Sequence, residues 1–212
     1  MGGEPVIGRF VVLEGGDGCG KSTQVGLLGD RLRGHGFGVV ETREPGGTTL
    51  GDAIRALLLD GDSVAPVAEA LLMAADRAQH VGEMVRPALE SGAWVVADRY
   101  VPSSLVYQGL VRGLGIDEVE RVNAWATGGL EPDLVVVLDV DDVVAEGRRA
   151  PQADRMEREG DGFHAEVRAA YRRLAAERGW RVVDGTGAVD VVSDAVFAVV
   201  APLLGASGAT DV

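Results

Sequence analysis

At 212 residues, with 46% hydrophobic and 25% charged, the chain has the size and composition of one packed globular unit and not of a disordered one. A net charge of −13 excludes a broad basic face for nucleic acid, yet leaves room for a local arginine cluster around a nucleotide. The single cysteine, Cys19, excludes an internal disulfide and a cysteine-rich metal site, and no apolar run approaches the ~18 residues of a membrane span.

The N-terminal residues show no basic segment followed by an apolar run, and Val6 stands where a myristoylation signal needs Ser or Thr. The expectation is a cytoplasmic protein with no membrane and no nucleic-acid partner. One domain is expected over residues 1–204, with a disordered tail at 205–212.

The first element is a buried strand from Phe10 to Glu14. It runs into Gly15-Gly16-Asp17-Gly18-Cys19-Gly20-Lys21-Ser22, which fits G-x-x-x-x-G-K-[ST] at every fixed position. Glycines let such a loop curl so that successive N–H groups point at phosphate oxygens. Lys21 adds a mobile point charge for the outer phosphates, and the Ser22 hydroxyl suits Mg²⁺. From Thr23 a helix continues, its N-terminus also favouring the anion. Lys21 is the only lysine in a chain with nineteen arginines, so an ammonium is used where a guanidinium fork would not fit. Gly15 through Thr23 are therefore the expected nucleotide-binding residues, with Cys19 a small packing side chain inside the loop.

The first helix spans Lys21 to His35 and leads to a short strand at Val39-Val40 ending near Thr42. Arg43 to Thr48 forms a Pro- and Gly-rich turn, and Thr48 or Thr49 caps a helix carrying Ile54, Leu57, Leu58 and Leu59. A longer helix starts near Val67 and runs past Arg86. Trp94 to Ala97 is the third strand, ending in Asp98-Arg99-Tyr100. Helices follow at Ser103 to Gly109 and Ile116 to Ala126, and the apolar run Leu134 to Leu138 reads as a fully buried strand. Asp142 to Arg178 reads as helix broken by an arginine-rich stretch around Pro151. Trp180 to Val183 is the last strand and Val189 to Leu204 the closing helix.

Strands separated by helices of this length predict an α/β fold with a parallel five-stranded sheet covered on both faces. Ligands of such sheets sit beyond the carboxyl ends of the strands, which gathers Asp17, Lys21, Arg43, Asp98 and Arg99 at one edge. That set suits phosphoryl transfer: Lys21 and Mg²⁺ for the donor, Arg43 and Arg99 as bidentate ligands of a second anion, Asp98 as a direct or water-mediated Mg²⁺ ligand. The segment at about 147–160 carries Arg148, Arg149, Arg155 and Arg158 and reads as a lid that excludes water from the donor phosphates.

The blocks FVVLEGGDGCGKSTQ, TREPGGTTLGDAIRALLL, AEALLMAADRAQHV, VVADRYVPSSLVYQG, EPDLVVVLDV and ADRMEREGDGFHAEVRAAYRRLA resemble, in order, those of the bacterial thymidylate kinase family. The resemblance covers about Phe10 to Val200; REPGGT with DRY…YQG is its specific part. It implies a P-loop fold, phosphorylation of dTMP to dTDP with ATP and Mg²⁺, and a homodimer. It implies that Asp17 meets the sugar 3′-hydroxyl and that Arg43 and Arg99 hold the acceptor phosphate. Arg77 would hydrogen-bond the thymine edge, while Ser104, Tyr107 and Gln108 line base and sugar. A tyrosine ring near the 2′ carbon would favour deoxyribose.

Gly18 stands where some members carry an arginine, so the catalytic arginine is expected in the lid, with Arg149 and Arg155 preferred over Arg148. Met73 stands four residues before Arg77, where the family usually has an aromatic residue against the base. That keeps a kinase for another (deoxy)pyrimidine monophosphate in play. A non-catalytic nucleotide-binding regulator is a third reading, opposed by Arg43, Arg99 and the lid arginines, which a simple switch does not need.

Overall fold

The computed structural model describes residues 8–60, 63–148, 155 and 159–205. Its strands are β1 (Phe10–Glu14), β2 (Val39–Arg43), β3 (Trp94–Asp98), β4 (Leu134–Asp139) and β5 (Arg181–Asp184). Its helices are α1 (Lys21–Gly34), α2 (Thr49–Leu59), α3 (Pro66–His80), α4 (Arg86–Glu90), α5 (Val101–Ser104) and α6 (Ile116–Thr127). There follow α7 (Asp142–Arg148), α8 (Asp161–Arg178), α9 (Val189–Val200) and α10 (Pro202–Gly205). The strands make one sheet in the order β2-β3-β1-β4-β5, parallel throughout, with Val12 of β1 beside Ala97 of β3 and Val135 of β4.

Alternation along each strand sorts the apolar side chains between two faces. Val11, Leu13, Val136, Leu138 and Val183 meet Leu28 and Leu32 of α1 and Val192 and Val196 of α9. Phe10, Val12, Val95 and Ala97 meet Val81, Val85 and Leu89 on the other face, where Val135 and Val137 pack with Val167, Tyr171 and Leu174 of α8. With helices on both sides, the central strand β1 is buried at every residue, as its unbroken apolar run requires. The five strands end in Glu14, Arg43, Asp98, Asp139 and Asp184, so a polar rim lies at their carboxyl ends.

Prolines account for the main departures from the expected helices. The long helix past Arg86 forms, but Val81–Val85 widens into a π-helical turn, with the Arg86 N–H reaching Val81 O; Pro87, which has no N–H, follows directly. The helix expected from Ser103 begins earlier, at Val101, with Pro102 in the first turn where its missing donor costs nothing, and continues as a π-helical turn Leu105–Val111. Pro202 likewise divides the closing helix into α9 and α10. Thr48, not Thr49, caps α2, its Oγ1 accepting the Gly51 N–H at 3.0 Å. Most of the arginine-rich stretch, Arg149 and Arg158 included, lies outside the described residues, as does the tail 206–212.

Candidate active site

The phosphate loop starts where β1 ends. Gly15 holds φ at +135°, and a Cβ there would come within 2.4 Å of the Leu138 carbonyl of the neighbouring strand. Gly18, at φ +78°, approaches α7 so closely that a Cβ would lie 2.4 Å from Ala145 O. Any side chain at either position would force the loop off the sheet edge or off α7. The Lys21 ammonium folds back over the loop, donating to Gly15 O at 3.2 Å and Gly16 O at 2.9 Å. Cys19 is buried inside, its Sγ 3.6 Å from Lys21 Nζ, as a packing residue should be.

The first turn of α1 and the end of β3 bring oxygen ligands together. Ser22 Oγ donates to Asp98 Oδ2 at 2.5 Å. One hydroxyl and one carboxylate, with the remaining positions left to phosphate and water, is a donor set that fits Mg²⁺. Among the described residues no cluster of three or more His, Cys, Asp or Glu could cage a metal alone. A cation here would therefore arrive with, and be completed by, the phosphates.

Next to Asp98, Arg99 is the only described non-glycine residue at positive φ (75°). Its neighbours over-determine that strained backbone. Nη2 reaches Asp17 Oδ1 at 2.5 Å, while Nη1 reaches Gly15 O at 3.2 Å, Ser103 Oγ at 3.1 Å and Tyr171 OH at 3.2 Å. Burial pushes the Asp17 carboxyl up, but the charges of Arg99, Lys21 and His164 outweigh it and hold the group below its usual value. Tyr107 OH adds a long contact, 3.4 Å, to Asp17 Oδ2.

Behind Arg99 stands Glu14, a fully buried carboxylate that the sequence reading treated only as the strand's last residue. Its Oε1 accepts the Tyr100 and Ser103 N–H groups at 2.8 and 3.2 Å, and its Oε2 accepts Ser103 Oγ and Tyr171 OH at 2.7 and 2.8 Å. Burial raises its pKa, against the attraction of Arg99 and these donors. Ser103 and Tyr171 thus link Glu14 to Arg99. A carboxylate closing a central strand just before a phosphate loop was the available signal; Tyr171, 157 positions away, offered none.

Asp17, Lys21, Ser22, Asp98, Arg99 and Ser103 border one cavity of about 610 Å³, within the range of small-molecule sites. One end is lined by Gly18 to Thr23, Arg148, Gly185, Gly187 and Val189; the other by Arg43, Arg55, Met73, Arg77, Ser104, Tyr107 and Gln108. Asp17, Lys21, Asp98 and Arg99 lie on the same wall. Gly15 and Gly16 do not line it; their carbonyls hold Lys21 instead. Arg43 is exposed at the end of β2 with no ion-pair partner among the described residues. Gln108 is buried and donates to Glu69 Oε1 at 2.9 Å. Met73 both packs on the core and borders the cavity, so its thioether can reach a ligand.

The three candidates for the catalytic arginine part company. Arg148 is on the cavity wall, donating to the carbonyls of Gly185, Thr186 and Gly187 at 2.8, 3.2 and 3.4 Å. Arg155 is off the wall: its Nε donates to Leu58 O and its Nη2 to the buried Glu69, both at 2.7 Å. Arg149 lies outside the described residues. The expected preference for Arg149 and Arg155 thus meets a structure in which Arg155 is tied to the ends of α2 and α3. Only spatial proximity, not spacing along the chain, could have shown this.

A family model described as thymidylate kinase matches residues 13–196. The chain is 52% identical over 185 residues to a thymidylate kinase of Halothermothrix orenii (strain H 168), covering 84% of this chain and 88% of that protein. It is 52% identical over 192 residues to a thymidylate kinase of Leifsonia xyli subsp. xyli, covering 88% and 91%. A thymidylate kinase of Bifidobacterium longum is 49% identical over 196 residues, covering 89% and 95%.

Proposed function

Since the chain belongs to the thymidylate kinase family, we propose that it transfers the γ-phosphoryl group of Mg-ATP to dTMP, giving dTDP and ADP. The observation that carries this reading is the single cavity that joins a phosphate loop at one end to a buried, arginine-bearing pocket at the other. Phosphoryl transfer asks the protein chiefly for in-line positioning and charge neutralisation. The donor phosphates would rest on the N–H groups of Gly18 to Thr23, with Lys21 leaving the loop carbonyls to follow the moving group. Ser22 and Asp98 would hold Mg²⁺, which when bound would supply charge neutralisation at the donor phosphates. Arg43 and Arg99 would grip the acceptor phosphate; the guanidinium of Arg43, on the cavity wall and without an ion-pair partner among the described residues, supports that role. Asp17, kept ionised by its neighbours, would accept the sugar 3′-hydroxyl, and Tyr107 beside it would crowd a 2′-hydroxyl.

Arg77, Ser104 and Gln108 would face the base, with Met73 against its plane. Met73 also supports a second reading, a kinase accepting a different or bulkier pyrimidine monophosphate, because a thioether adapts its shape where a ring would not. The arginine acting on the transferring phosphoryl group would be one of Arg148, Arg149 and Arg155, and Arg148 has the support of its place on the wall. A homodimer is supported by exposed apolar side chains on neighbouring helices: Leu57 of α2, Leu71 of α3 and Trp125 of α6. A cytoplasmic location agrees with the absence of any described helix long and apolar enough to cross a membrane.

The test is coupled ADP release with Mg-ATP against dTMP, dUMP, UMP, CMP, dGMP and AMP. Turnover greatest with dTMP is expected; preference for another acceptor by tenfold or more would overturn the assignment in favour of that base.

A further inference from the structure

Arg77 is held on every side. Nε donates to Glu44 Oε2 at 2.7 Å, Nη1 to Ser104 Oγ at 3.0 Å and to Asn123 Oδ1, and Nη2 to the Tyr100 carbonyl at 2.9 Å. The Tyr100 ring adds a face 5.4 Å from the guanidinium carbon. A guanidinium carries five N–H groups. Among the described residues four are used, and one, on Nη2, is left for a ligand in the cavity that Arg77 borders.

The acceptors are themselves fixed. Asn123, 2% exposed, donates its Nδ2 to Val119 O at 2.7 Å, which settles which side-chain atom faces Arg77. Glu44 Oε1 is paired with His80 Nδ1 at 2.8 Å, and His80 Nε2 with Thr42 Oγ1 at 2.6 Å. The brace therefore runs from β2 through α3 to α6. Asn123 and His80 do not border the cavity at all.

We propose that Asn123 is a positioning residue that sets acceptor-base selectivity, by immobilising Arg77 with a single outward donor. The proposal rests on the reading of this pocket as a pyrimidine monophosphate site. Guanidinium groups donate and never accept. A fixed N–H matches the carbonyl oxygen at position 4 of thymine or uracil. Against the 4-amino group of cytosine it sets donor against donor, and both are left unpaired and desolvated. An arginine able to rotate could turn aside and admit the amino base; one held at four N–H groups cannot. Selectivity then depends on how rigidly Arg77 is held as well as on its presence. Glu44 and His80 brace the Nε side, and Asn123 the Nη1 side.

The experiment compares the parent with Asn123→Leu, which removes the acceptor at similar volume, and Asn123→Asp, which keeps an acceptor oxygen. Measured are kcat and KM for dTMP, KM for ATP, the inhibition constant of dCMP against dTMP, and Tm. For Asn123→Leu the dTMP KM should rise about tenfold, the worth of one hydrogen bond to a charged group, with kcat and ATP KM close to parental. The dCMP inhibition constant should stay level or fall, so the preference for the carbonyl base shrinks by at least the same factor. Asn123→Asp should recover it. If Asn123→Leu does not fold, Asn123→Ser, whose hydroxyl is too short to reach Arg77, supplies the same readings. A variant with lowered Tm and parental base preference makes Asn123 a purely structural contact and overturns the proposal, as does equal loss in Asn123→Asp. A parent that does not phosphorylate dTMP overturns the assignment of the site itself, a result distinct from either.

Discussion

The two ends of the cavity are built from different materials. At the donor end the functional surface is mostly backbone: a glycine loop, the turn carbonyls of Gly185 to Gly187, and side chains such as Ser22, Thr23 and Arg148 that stand exposed. At the acceptor end, the exposed Arg43 apart, it is side chains withdrawn from solvent: Arg77, Ser104, Gln108 and Glu44 are all buried, each with partners. Phosphates present the same oxygens in every nucleotide, so N–H groups and one ammonium suffice for them. Choosing a base requires donors and acceptors whose alternatives are all blocked, and only buried networks block them. Generic chemistry has been given to the local, exposed end and discriminating chemistry to the long-range, buried one.

That contrast is most severely tested at Lys21, which serves the step common to both ends. Lys21→Met should lower kcat by about 10²–10⁴-fold with Tm nearly unchanged, because the ammonium only rests on two loop carbonyls. Turnover within threefold of the parent would show the lysine to be a loop support.

Next comes a pair of arginines, one from each end. Arg99→Ala removes a half-buried group bonded to Asp17, Ser103 and Tyr171, so kcat/KM for dTMP should fall by about 10²–10³-fold and Tm with it. Arg148→Ala, at the exposed end, should lower kcat by about tenfold or more if it acts on the transferring phosphoryl group, with the dTMP KM little changed and Tm left alone. Equal effects of the two on both substrates would erase the distinction drawn between the ends.

The buried end should also carry a pH signature. Asp76 of α3 accepts the Gly46 N–H at 2.9 Å through Oδ1, while its buried Oδ2 has no partner among the described residues. Burial raises its pKa to about 6, with Glu44 adding to the rise and Gly46, Arg77 and His80 opposing it. An acid whose folded pKa exceeds its unfolded value binds more protons when folded, so stability is fullest below the unfolded pKa, near 4, and is lost as pH rises through 6. The loss is at most about 3 kcal/mol. Urea unfolding between pH 4 and 7.5 should show this decline in the parent and a flatter curve in Asp76→Asn, which keeps the acceptor for Gly46. Parallel curves would mean that Asp76 does not titrate in the folded protein over this range.

Met73 gives the smallest effect. Base–aromatic stacking is worth about 1–3 kcal/mol and sulfur contacts about 0.3–1.5. Met73→Phe should therefore lower the dTMP KM by up to about tenfold with kcat unchanged. If the methionine serves another acceptor, use of that acceptor should worsen as dTMP improves. Unchanged kinetics with a shifted Tm would make Met73 a core residue only.

By itself the sequence determined what depends on neighbours along the chain. The phosphate loop was legible because glycines, lysine and serine must follow one another at fixed spacing. The sheet was legible because Phe10–Leu13 and Leu134–Leu138 are apolar at every position while Arg43 and Asp98 close their strands. Asp17, Lys21 and Ser22 needed no tertiary contact to be suspected. Arg43 and Arg99 were legible as strand-end ligands of a second anion, whereas Arg77, Ser104, Tyr107 and Gln108 came only from the likeness to a family, since nothing in their own spacing says what they face. Tertiary structure alone decided the order β2-β3-β1-β4-β5, the union of Glu14 with Tyr171, the brace of Asn123 and Glu44 around Arg77, and the separation of Arg148 from Arg155. These partners lie tens to more than a hundred residues apart, and which of nineteen similar guanidinium groups meets which carboxylate is settled by how helices pack on the sheet. Periodicity along the chain carries the burial of each face, but a buried hydrogen bond between distant elements leaves no periodic trace.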